Sequence, residues 1–404
     1  VVAGSLITST AISSMVNGNP AALWALVNTL DILMYVPLSA NPLTPRLRAF
    51  FDGLNILELL IPNFFEFVFD AEISPNSNQL FRDFGFESTL FLLNIGRKFT
   101  IFCLVLVLWP IAWMLSKTAI PFIARKCGGL LPEYKYNVFL RNWVQLFLDL
   151  TLAFLIQVFD PPYLNGVVMV NYCIGAFLGL LLGVTLPGLL IFNLKNKTNI
   201  ASEDSAFYRN WGALFYEYRC QAKFIASYTY LVFLLKRALF AASLVLLGEY
   251  PVLQQTVNAV LMLGYTVFVI AVSPFKQKLE QVSAVTAEIG ICLLFGGCYY
   301  FLQDSQRNYD SETESILTYL TLTIILVQSL AAILPLIIKI VKWVKAKITK
   351  STTRVEPTET PVTLAFYKKS QPLEEIKEVT DVNIVSLEEE IRGPMNSKDI
   401  DDID

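Results

Sequence analysis

Five ionisable residues lie inside long apolar runs, where no water would solvate them: Asp31, Asp149, Lys236, Arg237 and Glu288. A charge at the centre of a membrane-spanning helix costs about 2.5–3.5 kcal/mol on insertion scales, so each needs a compensating role. Three acids and two bases admit two chemistries. They can neutralise one another in a network that holds helices together, or they can line a path for cations or protons. A third reading shifts the segment ends and lets the long side chains snorkel to the interface.

Other chemistries find little support. Histidine is absent from the 404 residues, which removes the commonest general base and the commonest metal ligand. There is no Walker loop, no GxGxxG, no zinc ligand set and no nucleophile elbow. The six cysteines, Cys103, Cys127, Cys173, Cys220, Cys292 and Cys298, form no CxxC pair. Four fall in apolar runs and two in basic connections, so they read as small packing residues and not as a disulfide framework. Asp399, Asp401, Asp402 and Asp404 lack the Gly and terminal Glu of an EF-hand loop and read as a solvated terminus. The expectation is a protein that is no enzyme, carries no cofactor or metal and binds no nucleic acid.

The elements that must position the five charges are transmembrane helices. The chain is 54% hydrophobic and only 16% charged, against roughly 25% charge in a soluble domain. The apolar runs approach the roughly 20 residues that cross a bilayer and do not alternate as barrel strands do. Nine are expected: Val1–Val16, Ala21–Leu38, Phe99–Ile123, Asn142–Phe159, Gly166–Asn193, Phe224–Leu247, Val252–Val272, Val282–Leu302 and Ser315–Ile340. The fold class is therefore all-α, a polytopic bundle over 1–345, with residues 346–404 as a cytosolic tail. Val1–Gly4 already belong to an apolar run without an initiator Met, so the chain reads as part of a longer protein.

Lys and Arg set the orientation. Alternate connections carry Arg125, Lys126, Lys135 and Arg141, then Lys195, Lys197, Arg209, Arg219 and Lys223, then Lys276 and Lys278. The intervening ones carry almost none. The basic set is assigned to the cytosol, which puts the N-terminus outside. The sequon Asn196-Lys197-Thr198 then faces the cytosol and stays unglycosylated. The long outer connection, 40–98, holds an amphipathic aromatic stretch, Arg48–Phe69, read as an interfacial helix or elbow broken at Pro62, with a structured outer cap as the rival. The tail has 13 acidic and 6 basic residues over 351–404 and is expected to be disordered, with a possible cytosolic partner.

Gly175, Gly179 and Gly183 recur every four residues and offer a strip for close helix approach. Pro187-Gly188 follows as a possible hinge, and Gly296-Gly297 as a second close-approach point. Tyr208–Arg219 mixes basic and aromatic residues, as a headgroup anchor or a regulatory partner site does. The lysines from Lys339 to Lys350, with Trp343, read as an anchor on anionic lipids of the cytosolic leaflet.

Several stretches resemble a known family: LWALVNTLDILMYVPL at Leu23–Leu38, the FFDGL and IPNFFEF segment, the block from Trp211 to Leu261, and SPF at Ser273–Phe275. They look like the C-terminal multi-pass membrane region of large cysteine-rich surface proteins of ciliates. That region is distantly similar to the fungal TRP-like (flavin-carrier) membrane domain. The resemblance implies an extracellular Cys-rich region ahead of the first span and a plasma or ciliary membrane. It leaves open a receptor or anchor, a TRP-like channel and a transporter. The eleven-residue connection Gln303–Thr313 is too short for a pore helix with filter, though Asp304, Asp310 and Glu312 allow a simple acidic mouth.

Overall fold

The computed structural model describes residues 21–39, 51, 63–69, 74–118, 120–122, 124, 128, 131, 137, 139–161, 166–202, 205–303, 315–316, 318–327, 330 and 341. The chain divides into two units, Val1–Val344 and Lys345–Asp404. The second unit, the first expected span and most of the expected elbow lie outside the described residues.

The described residues are all-α. Ten helices follow in order: α1 (Ala21–Tyr35), α2 (Gln79–Asp83), α3 (Phe91–Ser116), α4 (Phe139–Phe159), α5 (Gly166–Lys195), α6 (Lys197–Ala201), α7 (Ser205–Trp211), α8 (Thr229–Leu246), α9 (Pro251–Val272) and α10 (Lys278–Gln303). Thr318–Val327 is also helical. Among the described residues, five stretches are long and apolar enough to cross a membrane: Phe139–Phe159, Gly166–Lys195, Phe224–Leu246, Pro251–Val272 and Lys278–Cys298. By helix length and hydropathy this is a multi-pass membrane protein.

Several expected spans begin or end elsewhere, the second and third most of all. The second stops as an α-helix at Tyr35, and Val36–Leu38 continue as a 3₁₀ turn with Pro37 in it. The third starts at Phe91 instead of Phe99. The sequence edge was set by Arg97-Lys98, but the Lys98 charge is matched inside the bundle, so helix and apolar burial extend past it. Of the aromatic elbow, Phe64–Phe67 form a 3₁₀ turn capped by Asn63, whose side chain accepts from the Phe65 N–H.

Connections gather at two ends. At one, the Ser77 N–H donates to Asp160 (2.8 Å), and Asn78 lies beside Gly248. At the other, the Ala213 N–H donates to Asn137 Oδ1 (2.9 Å), the Arg219 N–H to the Pro274 carbonyl (2.7 Å) and the Lys276 N–H to the Glu217 carbonyl (2.8 Å). This second end carries Arg141, Lys195, Lys197, Arg219, Lys223, Lys276 and Lys278 and is the basic end. The described basic residues of those connections thus share one end.

Helix α8 is central, packing on α4 and α9, and α9 packs on α10. Its buried Leu234, Phe240 and Leu244 join two apolar clusters, one with α1, α9 and α10, the other with α3, α4 and α5. A third cluster, with Tyr208, Leu214, Phe215 and Tyr218, seals the basic end. From Leu106 to Leu115, α3 exposes most of its apolar side chains, as lipid contact permits.

Candidate functional site

Adjacent residues on a helix point about 100° apart, so Lys236 and Arg237 of α8 face different neighbours. Arg237 is fully buried. Its Nη2 donates to Asp31 Oδ2 at 2.9 Å and to Asn28 Oδ1 at 3.0 Å. Its Nη1 donates to the carbonyls of Val144 (3.0 Å) and Gln145 (3.1 Å), and Gln145 donates to Asn28 Oδ1 at 2.8 Å. The planar fork of guanidinium donors suits this divergent set better than an ammonium would. One residue of α8 thereby fastens α1 and α4.

Lys236 turns the other way. Its Nζ donates to Glu288 Oε1 at 2.6 Å and stands 4.0 Å from the centre of the Tyr265 ring. The pair ties α8 to α10, and the ring on α9 adds a cation–π contact. The third acid, Asp149 on α4, takes a partner the sequence reading placed in a loop: Lys98 Nζ lies 2.6 Å from its Oδ1. The Tyr35 hydroxyl donates to the same oxygen. This triad joins α1, α3 and α4.

The five charges expected inside the bundle thus all sit in ion pairs, with Lys98 completing the balance. Asn28, Tyr35, Gln145, Tyr265 and Lys98 belong to the arrangement but carried little sequence signal. The four uncharged ones look like ordinary helix residues, and Lys98 borders a predicted loop. The Lys98–Asp149 pair lines a cavity. This space of about 340 Å³ is lined by Tyr35, Phe51, Glu66, Glu87, Lys98 and Asp149 among others, and marks the end opposite the basic one. Its size is that of a small-ligand site. Asp31, Arg237, Lys236 and Glu288 do not line it.

The glycine strip is shorter than expected. A Cβ on Gly175 would lie 2.5 Å from Gln157 Nε2, and one on Gly179 would lie 2.1 Å from the Phe154 ring, so α5 approaches α4 closely at both. Gly183 meets nothing and is exposed, because it has moved round to the outer face. Pro187 and Gly188 do not end the helix, and α5 runs through them to Lys195. In α10, Gly296 is open, and the close approach falls at Gly290 against Ile324.

The Gly175 contact serves a further purpose. Gln157 Oε1 accepts from the Phe91 N–H (3.2 Å) and from Asn171 Nδ2 (2.8 Å), while Asn171 Oδ1 accepts from the Leu92 N–H (2.8 Å). The first turn of a helix has N–H groups without intrahelical partners. Here α3 begins within the bundle, and amides from α4 and α5 satisfy it.

At the basic end, Glu217 has a side chain only 14% exposed, 3.8 Å from Arg141. Burial pushes its carboxyl up to about 7; Arg141 pulls it down and Glu280 pushes it up, both by less. Burial also raises the neighbouring Tyr218 hydroxyl. No group of three or more His, Cys, Asp or Glu residues able to hold a metal occurs among the described residues. No family model, curated protein or solved structure matches the chain.

Proposed function

We propose that this chain is the membrane-embedded domain of a cell-surface protein, anchoring an N-terminal ectodomain and transmitting from it. Residues 1–345 make about nine spans in this reading, with the N-terminus outside and the tail 346–404 cytosolic. The protein is not an enzyme, and its membrane is plasma or ciliary, as the likeness to ciliate cysteine-rich surface proteins suggests. The supporting observation is that Asp31, Asp149, Lys236, Arg237 and Glu288 are each engaged with a charge on another helix. Charges spent on one another fasten a bundle; charges that move ions stand free in a water-filled path. The basic end faces anionic cytosolic lipids.

A channel or transporter is the second reading. One observation favours it: the cavity ends on the Lys98–Asp149 pair, so part of the network meets solvent. Reconstitution in planar bilayers separates the two. The anchor predicts no current above that of empty membranes. A current whose selectivity changes in Asp149→Ala or Lys236→Ala would overturn it.

A further inference from the structure

The membrane-embedded part of α9 carries three side-chain amides with no contact to solvent: Gln254, Gln255 and Asn258. Residues three and four apart share a helix face, so Asn258 neighbours both glutamines. Some of their capacity is used. Gln254 Nε2 donates to the carbonyls of Ser243 (3.1 Å) and Leu244 (3.2 Å), and the Ser243 hydroxyl donates to Asn258 Oδ1. That hydroxyl also lies 2.8 Å from the Phe240 carbonyl, and its one proton serves only one of them at a time.

Four amide atoms are left buried without any partner: Gln254 Oε1, Gln255 Oε1, Gln255 Nε2 and Asn258 Nδ2. A buried polar atom left unpaired costs on the order of a hydrogen bond or more, and lipid offers no remedy. The unmet set is two acceptors and two donors. That is the complement of water, which offers two protons and two lone pairs. A metal cation fits poorly, because two of the four atoms are donors that repel it. An apolar solute would leave all four unpaired.

We propose that Gln254, Gln255 and Asn258 hold ordered water on the buried face of α9 next to α8, inside the membrane and apart from the Lys98–Asp149 cavity. None of the three lines that cavity. Such water extends the direct amide links between α9 and Ser243–Leu244 near the tight turn that joins the two helices. Met262 lies one turn beyond Asn258 and is fully buried, so it reports on the site.

The test uses the full chain in lipid nanodiscs. Brief X-ray radiolysis in ¹⁸O water turns bound water into hydroxyl radical beside its site, and mass spectrometry reads oxidation at each Met. The proposal expects Met262 to be oxidised although buried, with ¹⁸O appearing there more slowly than at Met34, which lines the cavity. In Gln255→Leu, Met262 oxidation should fall at least threefold while Met34 is unchanged. Absence of oxidation at Met262 overturns the proposal, as does oxidation that Gln255→Leu leaves untouched. The thermal midpoint provides a second, independent arm. Gln255→Leu should lower it by several degrees if water is lost from the remaining amides. A raised midpoint means the amides were dry, and the proposal fails.

Discussion

Replacing Arg237 with Leu should cost the bundle about 3–5 kcal/mol, the range for removing one partner of a buried ion pair. The substitution deletes the donors that hold Asp31, Asn28 and the carbonyls of Val144 and Gln145. The dominant loss is that Asp31, itself buried, is left without its nearest cation. Asp31→Asn alone should cost less, about 1.5–3 kcal/mol, the worth of a charge-assisted bond. Arg237 would then keep Asn28 and both carbonyls. In the double variant no orphaned carboxylate remains, so the summed single costs should exceed the double cost by about 2 kcal/mol. Reversible unfolding in mixed micelles, followed by tryptophan fluorescence, measures all three. Additivity within about 0.5 kcal/mol would show that the two groups do not depend on each other. The account of charges as fasteners would then be wrong.

Gly179→Val should destabilise by about 1–3 kcal/mol through overpacking against Phe154, while Gly183→Val stays within about 0.5 kcal/mol; the same unfolding assay distinguishes them. Gln157→Leu strips the acceptor from the Phe91 N–H and from Asn171, so hydrogen exchange at Phe91 should accelerate and stability fall by about 1–3 kcal/mol. Glu217 titrates near 7 in the folded protein against an ordinary 4.5. Between those values the native state holds a proton that the unfolded chain has released, so its contribution is greatest below 4.5 and is lost as pH rises through 7, by about 3 kcal/mol at most. Glu217→Gln should flatten that slope in thermal midpoints recorded from pH 5 to 8, and an unchanged slope would assign the titration elsewhere.

The long helices α4, α5, α9 and α10 were legible because lipid imposes one demand, about 20 apolar residues, that composition displays directly. The charges Asp31, Asp149, Lys236, Arg237 and Glu288 were legible for the converse reason, since each interrupts such a run. Their partners were not. Pairing Asp149 with Lys98 depends on α3 and α4 lying side by side, and nothing in a linear sequence states that adjacency. Lys98 was hidden further because a charge at the edge of an apolar run looks like the end of a helix. The four-residue glycine repeat gave a face but not its extent, and at Gly183 that face had already turned outward. The amides Gln157 and Asn171 were not singled out, because the helix start they satisfy belongs to another part of the chain.

The short backbone clasp at the basic end constrains how this molecule deforms. Tyr218 and Phe275 form an antiparallel bridge, flanked by the Arg219-to-Pro274 and Lys276-to-Glu217 bonds. The strap leading into α8 is therefore buckled to the elbow between α9 and α10. Those three helices cannot slide lengthwise past one another at that level without unfastening it. A displacement of α8 at that level is therefore shared with the elbow that joins α9 to α10.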